Sequence, residues 1–401
     1  MVSMIPPDSL SGQKGVIAVG VDAERQQLIE LVRDFAKAEV APRVREYDRD
    51  EHLPREILEK MAQLGLFGGT IDERWGGAGM DNRTFSAVIE EISRYDHCLG
   101  VLMSMPSALV GAGIERFGTD QQKERWLRPL AAGEIFGGAG VTEPQSGSDV
   151  AGLRTTYTVD GDHYVLNGSK TWISNLDIAS FFVTFATVDP SKRQSGITAF
   201  IVPKDTPGLS VHPFKNKMGF RPMCTGELVL DGVRLGPEAR LGEVGNGFAV
   251  AMTAVERGRL AVASRAIGAA QQCLDASVRY ARERVIRNRP IGDHQMVQKK
   301  IADMATEIRA ARLLVLECAD ALDRGERARQ LTSMAKMHAS DVMQRAATEA
   351  VQIHGAYGIS DEYPVARLYR DAKVFQIVEG ANDIHRSLIA RELLSPRAEK
   401  V

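Results

Sequence analysis

The hydrophobic and polar positions along the chain follow three successive patterns. From residue 23 to about residue 132, apolar side chains recur every three or four residues, as in residues 28–35, and this spacing predicts amphipathic helices. From about residue 137 to 240, alternation with a period of two predicts strands. Beyond residue 246 the helical spacing returns. We therefore predict a helical domain at 23–135, a β domain at 136–245 and a second helical domain at 246–401.

The details of these patterns define the predicted fold class. Long amphipathic segments at about 247–283, 294–324, 328–354 and 364–376 favour an antiparallel bundle. In the β domain, Y-T-V-D-G-D-H-Y-V-L-N-G-S-K predicts a hairpin with Asp160-Gly161 at its turn. The predicted fold is a multidomain α+β protein with an N-terminal helical domain, a middle β-barrel-like domain and a C-terminal antiparallel four-helix bundle. Residues 1–22 are predicted to be a flexible lead-in, and Asp22 is a plausible cap of the first helix.

The composition excludes several classes of protein. The 401 residues are 44% hydrophobic and 25% charged, with a net charge of -2, as in an ordinary soluble protein. This charge gives no electrostatic reason to expect nucleic acid or an anionic membrane as a partner. No apolar run approaches the roughly 20 residues that span a bilayer. The N-terminus resembles neither a signal peptide nor a transit peptide, so we expect a cytoplasmic protein.

Metal binding is not expected either. The four cysteines, Cys98, Cys224, Cys273 and Cys318, have no paired spacing, which favours reduced core thiols. His354 and His385 each stand alone, so they are interpreted as packed or surface histidines. The Arg-rich run at 279–289 has no interleaved aromatic residues and is interpreted as a solvated helix face.

The first candidate site is a single carboxylate near the C-terminus. In V-F-Q-I-V-E-G-A-N-D-I-H-R, residues 374–386, an apolar run ends at Glu379. A carboxylate in such a setting has a raised pKa and can act as a general base, although an ordinary solvated loop Glu fits the segment alone. Asn382 and Asp383 are predicted to cap a last helix. Its buried face would carry Ile384, Leu388, Ile389 and Leu393.

Two further segments fall within or beside the β domain. V-T-E-P-Q-S-G-S-D, residues 141–149, offers hydroxyl groups and a glycine that lets backbone N–H groups approach a ligand. Taken alone, this segment is better explained as a plain turn. In N-G-S-K-T-W-I-S-N, residues 167–175, Trp172 and Ser174 are two apart on a predicted strand, so both would point to one face. That pair suits one side of a flat polar ring, or simple core packing.

Together these segments carry a resemblance to the acyl-CoA dehydrogenases, over about residues 23–396. The matching blocks keep the order and spacing of that family. They are W-G-G-A-G-M-D, V-T-E-P-Q-S-G-S-D, N-G-S-K-T-W-I-S-N, K-M-G-F-R, G-N-G-F, E-R-G-R-L-A-V-A-S-R-A-I-G, A-V-Q-I-H-G-A-Y-G and R-D-A-K-V-F-Q-I-V-E-G.

The resemblance implies a helix–β–helix fold that binds FAD, forms a homotetramer as a dimer of dimers, and oxidises an acyl thioester to its α,β-unsaturated form. It implies cofactor contacts at Val141, Thr142, Ser148, Trp172, Ile173, Ser174, Arg284, Gln295, Gln352, Gly355, Ala356, Ala381 and Asp383. Among these, Arg284, Gln295 and the segment from Gln352 to Ala356 would reach the FAD of a neighbouring subunit. It implies substrate contacts at Ser148, Glu256, Arg259 and Gly380.

The resemblance also assigns the chemistry. Glu379 would remove the α-proton, its backbone N–H and a flavin hydroxyl would hold the thioester oxygen, and the β-hydride would pass to flavin N5. Some relatives place the base on the first bundle helix, at a position that falls here on Gly258. Glu256 is two residues away, about 200° around a helix, so it would face elsewhere.

Some positions depart from the family pattern. Ala381 stands where a threonine is usual, Arg287 and Asn288 where an aromatic residue and a glycine are common, and Ala356 where a glycine is frequent. These changes concern the edge of the FAD site between subunits, and they favour looser cofactor binding or a specialised branch.

The bulky block G-V-L-M-S-M-P-S-A-L-V and Gly258 both resemble short-chain members. We therefore expect a short or branched acyl-CoA of about four to six carbons as substrate, with an electron-transferring flavoprotein as acceptor. A desaturase or oxidase acting on an acyl carrier protein, a flavin monooxygenase and a non-catalytic scaffold remain alternatives.

Overall fold

The computed structural model describes residues 23–395 of the chain. The predicted lead-in at residues 1–22, including the proposed cap Asp22, lies outside the described residues. Among the described helices, none is both long and apolar enough to cross a membrane. The order of elements is helical, then β, then helical.

The N-terminal part is a set of short helices. They are α1 (Ala23–Phe35), α2 (Val44–Asp50), α3 (Arg55–Gln63), α4 (Asn82–Ser93), α5 (His97–Ser104), α6 (Gly111–Phe117), α7 (Asp120–Gln122) and α8 (Arg128–Ala132). Asp81 and Asp96 cap α4 and α5, because each carboxylate accepts hydrogen bonds from N–H groups of the first helical turn. Helix α5 ends two residues before Pro106, a residue type that disrupts the interior of a helix because it lacks a backbone N–H.

The middle part is an eight-stranded sheet. Its strands are β1 (Phe136–Gly140), β2 (Thr156–Asp160), β3 (His163–Ser174), β4 (Ala179–Thr187), β5 (Ile197–Pro203), β6 (Leu209–Pro213), β7 (Thr225–Leu235) and β8 (Arg240–Leu241). The order is β6-β7-β3-β2-β4-β5-β8, and β1 lies parallel to β4. The β2–β3 hairpin forms, but Asp160 pairs with His163, so the turn is Gly161-Asp162 rather than Asp160-Gly161. Gly161 takes a positive φ of 65°, which glycine adopts without strain.

Alternation along β4 and β5 sorts their side chains onto two faces. Phe181, Val183 and Phe185 join a core shared with the N-terminal helices. Phe200 of β5 and Leu230 of β7 belong to one buried cluster, although these two strands are not neighbours in the sheet. The sheet therefore curls around its own core, which gives the domain the barrel-like shape that the sequence predicts.

The C-terminal part is built on long helices. They are α9 (Gly247–Glu283), α10 (Gln295–Asp323), α11 (Arg329–His354), α12 (Val365–Phe375) and α13 (Asn382–Leu394), with a small hairpin of β9 (Val285–Ile286) and β10 (Arg289–Pro290) between α9 and α10. Helix α9 packs against α10, α11 and α12, and also against α4 and α5. One hydrophobic core accordingly runs through both helical parts. The predicted fold class is confirmed.

Three local predictions are corrected. The Arg-rich run is not one helix face, because α9 ends at Glu283 and the hairpin turns at Arg287-Asn288, whose positive φ values of 51° and 62° are typical of a type I′ turn. Ala381, not Asn382 or Asp383, is the N-cap of α13. The expected apolar face of α13 is not buried as a whole, since Leu393 is 61% exposed while His385 is fully buried.

Candidate active site

Glu379 lies in the short connection between α12 and α13. Its backbone has a φ of 54°, in a region that residues with a side chain rarely occupy, and Gly380 follows with a φ of 97°. The turn is closed by a hydrogen bond of 3.0 Å from the Asn382 N–H to the Gln376 carbonyl. Strained backbone persists only where its surroundings hold it, so this turn fixes the Glu379 side chain in one direction.

That direction is toward α9. A Cβ atom placed on Gly258 would lie 2.8 Å from Cδ and from Oε2 of Glu379. The missing side chain at residue 258 therefore leaves the space that the Glu379 carboxyl group occupies. Glu256 is two residues away on the same helix, about 200° around its axis. It is half-buried and makes no ion pair among the described residues.

Two buried polar side chains hold the Glu379 turn from beneath. Lys336 of α11 is fully buried, and its Nζ donates to the Gly380 carbonyl at 2.7 Å and to Oδ1 of Asn382 at 3.0 Å. The amide of Asn382 donates in turn to Ser340 Oγ at 2.9 Å and to Asp341 Oδ1 at 2.8 Å. Asn382 thus fastens the turn to α11 instead of capping α13, which is the physical reason for the correction above.

The electrostatic surroundings of Glu379 pull its pKa in two directions. Burial raises the pKa of Glu379, and the nearby cations of Arg265, Arg259 and Lys336 oppose that rise. Burial likewise lowers the pKa of Lys336 to about 7. Burial and the nearby cations of Arg259 and Lys336 lower the pKa of His385 to about 3, so this imidazole is neutral. A half-buried carboxylate with a raised pKa is suited to accepting a proton.

A second group of residues surrounds the loop at 141–149 in the β domain. Glu143 and Lys170 form a buried ion pair of 2.7 Å beneath this loop. Although burial alone would raise it, the pKa of Glu143 is lowered by Lys170 and by hydrogen bonds from the Thr155 and Arg154 N–H groups. The pair anchors the loop to β3, because Lys170 lies on that strand two residues before Trp172.

The open side of this group fits a flat, polar cofactor. Trp172 sits in a bulge of β3 with a φ of 61° and is 62% exposed, and its ring meets that of Phe214 edge-on with the ring centres 5.0 Å apart. The bulge replaces the regular strand that the sequence predicts. Within residues 23–395, the hydroxyl groups of Thr142, Ser148 and Ser174 make no hydrogen bond. An exposed indole ring with unpaired hydroxyl groups beside it can accept an isoalloxazine ring.

A third group lies at the far end of the helical bundle. Arg284, Gln295, Gln352, Gly355 and Ala356 are all exposed. The Arg284 guanidinium lies 5.8 Å from the centre of the Tyr357 ring. Across residues 23–395, no hydrogen bond or ion pair links this group to Glu379 or to the loop at 141–149.

The remaining predicted residues are spread among these groups. Val141 is half-buried and Ile173 is buried in the sheet core. Ala381 is half-buried beside Glu379, whereas Asp383 is exposed and pairs with Arg386 at 3.5 Å. Arg259 is buried against the Glu379 site, and its Nε has no hydrogen-bond partner in the part of the chain that the structure describes. In those same residues, no cluster of His, Cys, Asp and Glu side chains is arranged to hold a metal ion.

The sequence interpretation missed two residues, Lys336 and Arg265. Lys336 falls on the buried face of α11, in register with Thr332, Ala339 and Met343. Every residue of α9 from Gly258 to Ala270 is buried, and Arg265 and Arg259 are the two charged residues in this stretch. A lone cation on an otherwise apolar helix face was the signal in both cases.

Comparison with known proteins agrees with this arrangement. Three family models match: the N-terminal, middle and C-terminal domains of acyl-CoA dehydrogenase, over residues 22–134, 138–233 and 245–394. An acyl-CoA dehydrogenase of Bacillus subtilis is 42% identical over 93% of this chain and 99% of its own. The CarC subunit of the caffeyl-CoA reductase-Etf complex of Acetobacterium woodii is 39% identical over 93% of this chain and 99% of its own.

Solved structures give the same result. The butyryl-CoA dehydrogenase of Megasphaera elsdenii superposes with a TM-score of 0.91, at 38% identity, over 94% of this chain and 100% of its own. With its three domains matched in order and its fold shared, the chain belongs to the acyl-CoA dehydrogenase family of FAD-dependent oxidoreductases.

Proposed function

We propose that this protein oxidises a short acyl-CoA to the 2-enoyl-CoA, with Glu379 as the base that removes the α-proton. The observation that carries this proposal is the Glu379 carboxyl group, held on a strained turn, with a pKa raised by burial, in the gap left by Gly258. An α-proton of a thioester is weakly acidic, so its removal needs a desolvated base in a fixed position.

The developing negative charge on the thioester oxygen also needs stabilisation. The N–H of Glu379 donates to no backbone carbonyl among the described residues, so it is free to donate to that oxygen. Arg259 and Arg265 add positive potential to the same site. Preorganised donors and charges of this kind lower the free energy of an enolate-like transition state.

FAD would lie against Trp172, with Val141, Thr142, Ser148, Ile173 and Ser174 around it. When bound, it supplies the acceptor for the β-hydride. The exposed ring of Trp172 and the unpaired hydroxyl groups beside it support this assignment. Ser148, Glu256, Arg259 and Gly380 are proposed to line the path of the acyl-CoA thioester.

We also propose a homotetramer, a dimer of dimers, in which Arg284, Gln295 and the segment from Gln352 to Ala356 contact the FAD of a neighbouring subunit. Their exposure at the end of the bundle, away from Glu379, supports that assignment, and Ala381 and Asp383 would border the same cofactor. An electron-transferring flavoprotein is the proposed acceptor, and the similarity to a subunit of a reductase-Etf complex supports it.

The acyl pocket is proposed to suit four to six carbons. Leu102, Met103 and Met105 are all buried near the end of α5. Their bulk closes the space that a long acyl chain would need, and a closed pocket penalises extra methylene groups. The similarity to a butyryl-CoA dehydrogenase is consistent with a short chain.

Anaerobic flavin reduction tests the proposal. Glu379→Gln should keep the fold and FAD content but slow flavin reduction by at least about a hundredfold, the scale of losing a general base. Glu256→Gln is the matched comparison: because Glu256 is proposed only to line the substrate path, it should change KM while the rate of flavin reduction at saturating acyl-CoA stays near that of the wild type. If Glu256→Gln lost activity and Glu379→Gln did not, Glu256 rather than Glu379 would be the base.

A substrate series tests the pocket. We expect kcat/KM to be higher for butyryl- and hexanoyl-CoA than for octanoyl-CoA. An optimum at octanoyl or longer would contradict the closed pocket. Reduction only by carrier-bound acyl groups would favour a carrier-protein desaturase or oxidase, and reduction only by a nicotinamide cofactor would favour a monooxygenase.

A further inference from the structure

Arg265 is a buried cation without an ionic partner. It is 5% exposed, and in the part of the chain that the structure describes it forms no ion pair. Its Nε lies 3.4 Å from the Ala261 carbonyl, which is a weak contact. Burial lowers the pKa of Arg265 to about 10, against the attraction of Glu379 and Cys98, so it remains charged at neutral pH. A buried charge is costly unless something pairs with it.

The position of Arg265 on α9 directs it into the space below Glu379. It follows Gly258 by seven residues, so it lies within about 20° of the same helix face and about 10.5 Å further along the axis. Side chains on a helix lean back toward its N-terminus. The contact with Ala261, one turn back, agrees with that lean. The guanidinium therefore lies about one turn from the level of Gly258, on the face that meets the Glu379 carboxyl group.

This is also the direction in which an acyl chain must run. Every residue of α9 from Gly258 to Ala270 is buried, whereas residues 255–257 are half-exposed. A thioester at Glu379 consequently has its CoA toward the half-exposed end and its acyl end toward Arg265. The terminal guanidinium nitrogens make no hydrogen bond among residues 23–395, yet they are not among the side-chain atoms sealed in the core. They are therefore the part of this side chain that remains accessible to a ligand.

Arg265 cannot swing away from this position. Its stem passes Gly100 of α5, where a Cβ would lie 3.1 Å from Cγ and 3.2 Å from Cδ of Arg265. The side chain is thus packed between α5 and α9. Nor is Glu379 a sufficient partner, because Arg259 and Lys336 already surround that single carboxylate. Among the described residues, Glu379 is the one carboxylate that acts on the Arg265 guanidinium, so a second anion would complete the site.

We propose that Arg265 binds a carboxylate at the far end of the acyl group, so that the preferred substrate is the CoA monothioester of a short dicarboxylic acid. This inference rests on the proposed function, since it takes Glu379 to mark the reacting carbon. In a five-carbon diacid, three bonds of roughly 1.5 Å separate the α-carbon from the far carboxyl carbon. Adding a hydrogen bond of about 2.9 Å gives a reach of about 7 Å from the α-carbon to a guanidinium nitrogen. That distance is close to the rise of one helical turn plus the width of the substrate. A guanidinium can hold such a carboxylate through two parallel hydrogen bonds.

The test compares two substrates of equal chain length on the full-length, FAD-loaded protein. Glutaryl-CoA and pentanoyl-CoA each carry five acyl carbons and differ only at the last one, which is a carboxylate in the first and a methyl group in the second. The wild type should show a kcat/KM for glutaryl-CoA about tenfold to a hundredfold above that for pentanoyl-CoA, the scale of a charge-assisted pair. Arg265→Met should abolish this ratio, because glutaryl-CoA loses its charge-assisted pair whereas pentanoyl-CoA loses only the positive potential that Arg265 adds at Glu379. Arg257→Met, on the same helix but paired with Glu115, is the matched control and should leave the ratio unchanged.

Arg265→Lys separates charge from geometry, because an ammonium group cannot form the paired hydrogen bonds and should restore only part of the ratio. An equal loss with both substrates in Arg265→Met would mean that Arg265 acts only through Glu379, and the inference would fail. A wild type that prefers pentanoyl-CoA would also overturn it.

Calorimetric binding to the FAD-loaded Glu379→Gln variant separates this inference from the proposed reaction. Tighter binding of glutaryl-CoA than of pentanoyl-CoA, lost on adding Arg265→Met, supports the carboxylate site even if no CoA ester reduces the flavin. Equal binding of the two esters refutes the carboxylate site even if both reduce the flavin of the wild type.

Discussion

Replacing Gly258 by alanine should separate activity from stability. The added Cβ would lie 2.8 Å from Cδ and Oε2 of Glu379 and 2.9 Å from its Oε1. Ordinary contact begins near 3.4 Å, so the carboxyl group must retreat by about 0.6 Å. The atoms that yield are the end of a side chain, so the fold can adapt. Those same atoms are proposed to take the proton.

The expected loss of rate follows from that displacement. A misplacement of about 1 Å at a reacting group can cost about a hundredfold, so flavin reduction by butyryl-CoA should slow by about tenfold to a hundredfold in Gly258→Ala. Alanine is favoured over glycine inside a helix by up to about 1 kcal/mol, so the free energy of unfolding should be unchanged or increased. Stopped-flow anaerobic reduction and thermal unfolding measure the two effects separately.

Two further variants make the reasoning refutable. Gly268→Ala is the same substitution on the same helix, but its Cβ would lie 2.2 Å from the Glu90 carbonyl oxygen, which is backbone, so it should lower the melting temperature instead. Glu379→Asp withdraws the carboxylate, so Gly258→Ala should cost less in that background than in the wild type. A wild-type rate in Gly258→Ala, or a cost that is the same in both backgrounds, would show that Glu379 is not the group that Gly258 accommodates.

Two other predictions concern the surroundings of the site. Lys336→Met removes a cation that lowers the pKa of Glu379, so that pKa should rise. Because the base acts when deprotonated, the acid limb of the pH–rate profile should move to higher pH, and Lys336→Arg should move it less. If the acid limb did not move, the role of Lys336 would be only to hold the turn that carries Glu379. Arg284→Ala should lower FAD occupancy by about tenfold or more through loss of a charge-assisted contact, whereas Arg282→Ala, a neighbouring exposed arginine, should not. Full FAD occupancy in a stable Arg284→Ala monomer would contradict the proposed contact across subunits.

The sequence by itself determined the three-part architecture. Periods of 3.6 and 2 residues report directly which faces are apolar, so the limits of α9, α10, α11 and α12 agree with the predicted segments to within a residue or two. The sequence also marked Glu379 as a candidate base, since an acidic residue that ends an apolar run is visible without coordinates, but the resemblance to the acyl-CoA dehydrogenases, not the segment alone, favoured it over a solvated loop Glu.

Only the tertiary structure decided how the site is assembled. The segments around Gly258, Lys336 and Glu379 are far apart along the chain, and only the packing of α9 against α11 and of α11 against α13 brings them together. Asn382 looked like a helix cap because its residue type favours caps, yet α11 offers it Lys336 and Ser340 as partners. Periodicity places Arg265 on the buried face of α9. It cannot show that, among the described residues, Arg265 forms no ion pair. Local preference sets the elements, whereas the pairing of buried charges depends on contacts between distant segments, which no local pattern encodes.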